Sequence, residues 1–322
     1  MRIKTKIARK RASGIPSRGK GPVVSALPFL FPFLGTVFLG LCLLCSCSGN
    51  SGTGEDIAAP PPTVRLQLRG SSWSLDTRAS EESLPEGTSV GVYVTSPENP
   101  PATAYYTNLS YVSLAEGALS SSTPVDLSIG YSYALYAYAP YSQEASDPAS
   151  IVFPGGTDVL CASKSAIVEV SETNRTGTLS FRHCVSQLSF EVEVAPGLPF
   201  DFTASTLQVS GFYKEGRLDV QTGLLTLPAT ASDTLSSTMA VDQGLPVLRI
   251  PATCFFPSSS VMELEVKIIT GNGEYTGSLS RVFSPGVSYR YTVKVGGEDT
   301  PLGLTGGLTD WEQVDSGTAV IR

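Results

Sequence analysis

The chain has 322 residues with 22 Lys and Arg, 29 Asp and Glu and a single histidine, for a formal net charge of −7. Eight of the basic residues lie within Arg2 to Lys20 and no acidic residue precedes Cys47, so the chain from Cys47 onward carries 14 Lys and Arg against 29 Asp and Glu, or −15. That part has no basic footprint for nucleic acid and would be repelled by an anionic membrane surface.

The basic N-terminus runs into an apolar stretch from about Val23 to Leu44 that closes on Leu44-Cys45-Ser46-Cys47. A positive segment, an apolar segment and a small-residue end are the parts of a secretory signal. With Leu three positions before Cys47 and Ser just before it, the end resembles a bacterial lipoprotein signal, in which the Cys receives the lipid. Cys42 and Cys45 compete for that role in a poorer register. A retained membrane helix is the alternative, since about 20 apolar residues span a bilayer; Pro28, Pro32, Gly35 and Gly40 count against an uninterrupted helix. Residues 1–46 are therefore expected to be a signal peptide. Cys47 would be the lipidated first residue of the mature chain, its acyl chains holding the protein on the outer membrane with its folded part at the cell surface.

Residues 47–62 are rich in Gly, Ser and Pro without apolar periodicity, as suits a flexible tether. From Thr63 onward short alternating or apolar runs recur between turn residues. Val64-Arg65-Leu66-Gln67-Leu68 alternates with period two, and Val90 to Val94, Ser132 to Tyr138, Ser165 to Val170, Thr178 to Phe181, Leu188 to Val194, Thr206 to Phe212, Pro246 to Ile250, Met262 to Ile269 and Tyr289 to Val295 read as further strands. Gly271-Asn272-Gly273 has hairpin-loop chemistry, and Lys214-Glu215-Gly216-Arg217 and Ser284-Pro285-Gly286 read as turns. No long amphipathic helix is visible. The fold expected is all-β, with two tandem β-sandwich domains over residues 63–176 and 177–322, divided where Glu172 to Gly177 interrupts two strand runs.

Cys161, Cys184 and Cys254 remain in the folded part. An odd number at spacings of 23 and 70 fits neither a disulfide framework nor a zinc pattern, and reads as buried apolar filler, with one bridged pair as the alternative. Tyr133, Tyr136, Tyr138 and Tyr141 are expected to pack rings into a core with hydroxyls reaching water, in preference to forming a carbohydrate-stacking face. No metal or cofactor is expected. Catalysis is not expected either, because His183 is the only histidine base and no nucleophile-elbow motif occurs. Asn108-Leu109-Ser110 and Asn174-Arg175-Thr176 match the N-glycan acceptor pattern, which carries little weight in a bacterial exported protein.

Six segments in order resemble the fimbrillin family, subunits of the lipoprotein-derived fimbriae of Bacteroidota. They are Thr77-Arg78 with Glu86-Gly87-Thr88-Ser89-Val90-Gly91-Val92-Tyr93, then Tyr136-Ala137-Tyr138-Ala139-Pro140-Tyr141, Thr157-Asp158-Val159-Leu160-Cys161-Ala162, Phe181-Arg182-His183-Cys184, Pro285-Gly286-Val287-Ser288-Tyr289-Arg290-Tyr291, and Asp310-Trp311-Glu312. Thr88 stands where an acidic residue is common in the family, and Cys161 where an aromatic often sits. The resemblance implies two transthyretin-like β-domains and assembly by strand exchange. In that scheme an arginine-specific protease cuts after the first strand, and another subunit's strand fills the groove left behind. Carried onto this sequence, the displaced strand includes Val64, Leu66 and Leu68, and the cut falls between Arg78 and Ala79. The C-terminal segment with Thr318, Val320 and Ile321 is a donor strand or the last strand of its own sheet. The partners implied are other fimbrial subunits, in a structural or accessory (tip or anchor) role contributing to adhesion. The alternative function is a surface-exposed outer-membrane lipoprotein that binds glycans or host ligands without polymerising.

Overall fold

Two strands are apolar at nearly every position because both of their faces are covered. In Ser89–Thr95 and Ser132–Ala139, Val90, Val92, Val94, Leu135, Ala137 and Ala139 point into one core, while Tyr93 and Tyr138 point into another. The computed structural model describes residues 60–73, 81–194, 200, 202–243, 245–271, 273–295 and 303–308. The protein is all-β, as its alternation predicts: the described elements are strands apart from single 3-10 turns at Pro101–Thr103 and Ala115–Gly117. Among the described residues no helix is long and apolar enough to cross a membrane.

The first sheet closes on itself. Its order runs Thr176–His183, Leu160–Glu169, Ser132–Ala139, Ser89–Thr95, Tyr106–Ser113, Ala118–Ser120 and Gln67–Trp73, and the last of these pairs back with the first. Glu81–Ser83 adds antiparallel to Gln67–Trp73. Inside lies a core that includes Leu66, Leu68, Leu84, Tyr111, Leu135, Leu179 and Phe181.

The second half is a sandwich of two four-stranded sheets. One is ordered Arg249–Phe255, Ser186–Val194, Ser288–Val295, Gly303–Leu308; the other Asp233–Thr238, Thr206–Phe212, Met262–Thr270, Gly273–Arg281. Alternate residues of each, such as Leu188 and Phe190 against Val209, Leu264 and Val266, form its core, as period-two side chains on facing sheets must. Met262–Thr270 and Gly273–Arg281 form the hairpin expected from the Gly271 to Gly273 loop, with Thr270 opposite Gly273.

A third sheet joins the two. Ile151–Pro154 pairs antiparallel with Glu215–Asp219, which pairs in turn with Leu224–Thr226. Glu215 to Arg217, expected as a turn, is therefore strand; Gly216 is needed there because a Cβ would stand 2.8 Å from the Phe256 ring. Beneath this sheet a junction core collects Tyr93, Tyr138, Ile151, Phe153, Cys161, Cys184, Leu218 and Phe256. The chain leaves the closed sheet only after His183: Gly177 to His183, which the expected division after 176 assigns to the second half, pairs with strands of the first.

The tyrosines depart from expectation in one respect. Tyr138 has 0% exposure, so its hydroxyl is not in water but donates to the Asn108 side-chain oxygen at 2.7 Å and accepts from the Ser142 amide at 3.2 Å. The Asn108 amide donates in turn to the Ser142 carbonyl at 3.0 Å, so the acceptor-like Asn108 is engaged in holding the fold. Tyr93, its neighbour at 6.4 Å between ring centroids, has no hydrogen-bond partner for its hydroxyl among the described residues.

Removing a satisfied hydroxyl and removing an unsatisfied one have different consequences. Tyr138→Phe should lower unfolding free energy by about 1–2 kcal/mol, whereas Tyr93→Phe should be neutral or stabilising, in urea titrations followed by tyrosine fluorescence. Burial pushes the Tyr138 phenol from 10.0 up to about 12. A group whose folded pKa is raised contributes its stability below the unfolded pKa, so stability should fall as pH rises from about 10 to about 12, and Tyr138→Phe should reduce that fall.

Candidate functional site: the first strand and its groove

The segment expected as one strand from Val64 to Leu68 is two. Thr63–Arg65 pairs antiparallel with Asp126–Ser128, Val64 opposite Leu127. At Leu66 the chain changes partner: the Leu66 amide donates to the Val125 carbonyl at 2.9 Å and the next amide, Gln67, donates to the Arg175 carbonyl at 2.8 Å. Gln67–Trp73 then runs parallel to Thr176–His183, from Gln67 opposite Thr176 to Ser72 opposite Phe181. Alternation assigns the faces: Leu66 and Leu68 are buried at 7% and 3% exposure, while Gln67 and Arg69 are exposed.

What this strand contributes is mostly main chain. Beyond the two leucines and half-buried Val64, its described inward side is small: Gly70 lies close enough to Leu84 and Phe181 that a Cβ would sit 3.2 and 3.3 Å from their side chains. Burying a leucine is worth about 1.5–3 kcal/mol, so the strand's own apolar contribution is modest beside the ladder hydrogen bonds it completes. The surface beneath is more apolar than the strand, since Leu84, Leu135, Leu179 and Phe181 are all at 0–1% exposure. Lifting the strand out would uncover a groove that water disfavours and that any strand with alternating small or aliphatic residues could refill.

A cavity of about 560 Å³ beside the strand is lined by Arg65, Leu66, Leu68, Arg69 and Arg175 together with residues of the Ser120 to Thr123 segment. Arg65 pairs with Asp126 at 3.4 Å, an exposed pair of small energetic consequence. His183, at the other end of the groove wall, bonds through Nδ1 to Asp158 at 2.8 Å, and so ties the strand's end to the loop before Leu160–Glu169 as a structural histidine would. Among the described residues no group of three or more His, Cys, Asp or Glu side chains could hold a metal ion.

Of the residues singled out in sequence, Val64, Leu66 and Leu68 come together on this strand. Arg78 and Ala79 lie outside the described residues, in the connection between Gln67–Trp73 and Glu81–Ser83, which are paired as the arms of a hairpin. Cys47, Trp311, Thr318, Val320 and Ile321 are likewise outside them. The last described strand is Gly303–Leu308, an edge strand on Ser288–Val295 with Tyr289 opposite Leu308, and alternation does not mark it because it contains three glycines. The groove wall itself escaped the sequence reading as a partner of the first strand: Gly177, Leu179 and Phe181 alternate inward, but nothing local to them names a mate about a hundred residues earlier.

A family model for fimbrillin-like proteins matches residues 77–311. The chain belongs to the fimbrillin-like family. Its fold recurs in a candidate cell adhesion protein from Bacteroides ovatus, 19% identical, over 79% of this chain and 100% of that one, with a TM-score of 0.60. A candidate cell adhesion protein from Bacteroides uniformis is similar at 16% identity over 77% and 99%, TM-score 0.56. So is a fimbrial protein from Bacteroides vulgatus, at 12% identity over 77% and 100%, TM-score 0.50. No curated protein sequence matches. The family model begins at Thr77, just after the first strand of this fimbrillin-like chain, so the match does not include Val64, Leu66 and Leu68.

Packing at the groove wall gives a direct check on how tightly the first strand is seated. A Cβ on Gly177 would stand 2.4 Å from Leu135 Cδ1 and 3.1 Å from Leu68 Cδ2. Gly177→Ala should therefore destabilise the chain by about 1–3 kcal/mol and speed hydrogen exchange of the 67–72 amides more than that of the second-half sandwich.

Proposed function

We propose that the protein is a subunit of cell-surface fimbriae, exported as a lipoprotein on Cys47 and assembled by exchange of its first strand, in a structural or accessory position that contributes to adhesion. The observation that carries this reading is the first strand itself: it closes the sheet by a parallel ladder, buries Leu66 and Leu68, and sits over a groove lined by fully buried Leu135, Leu179 and Phe181. Membership of the fimbrillin-like family supports the same role.

In this reading Arg78 is the cleavage point for an arginine-specific protease and Ala79 the new N-terminus. A cut there severs one hairpin arm from the other, so the lipidated tether and the strand depart together while Glu81–Ser83 stays with the subunit. The vacated groove then receives a strand from a second subunit, the C-terminal segment with Thr318, Val320 and Ile321 being the donor. Main-chain pairing supplies most of the recognition, and the positions of Val64, Leu66 and Leu68 supply the side-chain sites to be refilled. The two halves act as tandem domains that transmit the polymer axis, with the division at His183 to Ser186.

Treating the purified precursor with an arginine-specific protease tests this. Cleavage should yield Ala79 as N-terminus and a ladder of heat-sensitive oligomers on unboiled gels, and Arg78→Ala should abolish both. Intact chains or unpolymerised fragments with a free Ala79 terminus would instead favour a surface lipoprotein that acts as a monomer.

A further inference from the structure

Two thiols meet where the groove wall joins the rest of its sheet. Among the described residues Thr176–His183 is held to Leu160–Glu169 at one end only, by Leu160 opposite His183 and Cys161 opposite Arg182. Cys184 lies two residues past Arg182 and hence on the face that carries Cys161. Its amide donates to the Val159 carbonyl at 2.7 Å, which fixes its position just beyond the ladder. Both side chains are buried, at 2% and 6% exposure, within the junction core.

Their sulfurs converge. Both lie beside Gly223. The Cys161 thiol also approaches the Val220 carbonyl at 3.7 Å and the Cys184 thiol the Gly223 carbonyl at 3.8 Å, while a Cβ on Gly223 would be 3.7 Å from Cys161 Sγ. Cys254, opposite Gln187 and in a β-bridge with Gly156, packs against the edge of the same junction core, but no contact of its sulfur with Gly223 or Val220 is seen among the described residues. The chain spacing of 23 residues hides this pairing; the antiparallel return of the strand creates it.

We propose that Cys161 and Cys184 form a disulfide in the exported protein, and that the bond staples the groove wall to its sheet when the first strand is absent. The purpose rests on the strand-exchange reading above; the bond itself requires only an oxidising compartment. One Cys thiolate attacks an external disulfide, either oxidised glutathione or the active-site disulfide of a thiol oxidase, and expels one external thiolate. The second Cys thiolate then attacks the mixed disulfide and expels the other. Two protein S–H groups are oxidised, their two protons pass to the two expelled thiolates, and one external disulfide is thereby reduced to two thiols. The neighbouring Cys184 thiol, together with burial, holds the Cys161 thiol far above its ordinary range, so the reaction belongs to the folding chain before the junction core closes, and the finished bond is shielded from reductants.

The test isolates the chain from the bacterial envelope without reductant, denatures it with iodoacetamide present and maps its peptides. A parallel sample is refolded from denaturant with oxidised glutathione. Both should contain a Cys161–Cys184 linked peptide about 2 Da lighter than its two reduced components, with Cys254 alkylated; Cys254→Ala should keep the link and Cys161→Ala should remove it. Alkylation of all three cysteines in both samples, or a link through Cys254, overturns the proposal. For the stapling role, the Cys161→Ala, Cys184→Ala double variant should be cut by the protease like the parent yet give at least several-fold less polymer; equal polymer overturns that role. A parent chain that carries the bridge and never polymerises counts against strand exchange and leaves the bridge standing.

Discussion

The parallel ladder between Gln67–Trp73 and Thr176–His183 joins segments about a hundred residues apart and closes the first sheet. Such a contact forms late and at an entropic disadvantage, because a long loop must be ordered before any pair is gained. Once formed it has a dependent: apart from the packing of Leu179 and Phe181 in the core, the groove wall's ladder to the rest of its sheet consists, among the described residues, of Leu160 opposite His183 and Cys161 opposite Arg182. Every feature of the candidate site follows from that arrangement. Loss of the strand would break its pairing with Thr176–His183 on one edge and with Ala118–Ser120 and Glu81–Ser83 on the other, and the wall it left would have to be refilled or held.

The two-faced strands explain why the rest of the molecule would survive such a loss. Ser89–Thr95 and Ser132–Ala139 separate the first core from the junction core, and each is anchored on both sides, Tyr138 through Asn108 and Ser142 and Leu135 through the barrel interior. The second-half sandwich shares no strand with the closed sheet and connects to it through Ile151–Pro154 and Glu215–Asp219. Removing the first strand therefore disturbs one wall and leaves the junction and the sandwich with their own cores.

Much of this was legible in the sequence where the signal was local. Period-two runs such as Leu188 to Val194 and Met262 to Ile269 became strands, and the Gly271 loop became a hairpin turn. What was not legible depended on partners. Glu215 to Arg217 carries turn-forming residues, yet it is strand because Ile151–Pro154 lies beside it and the Phe256 ring lies over Gly216. Thr176–His183 alternates clearly, but alternation gives a face and never a mate, so its place in the first sheet could not be read. Cys161 and Cys184 are buried, as their spacing suggests, but a spacing of 23 gives no sign that the antiparallel return brings both into one junction core. The second core on the far side of Tyr138 leaves no mark in its own strand, so the sequence pattern gives no sign that its hydroxyl is buried.

The central claim is that the first strand is a replaceable part of the sheet, and the amides of Thr176–His183 report on it directly. Hydrogen exchange should find them protected in the precursor, exposed in the chain after removal of residues up to Arg78, and protected again in the polymer. Protection that persists when the first strand is gone would contradict the account.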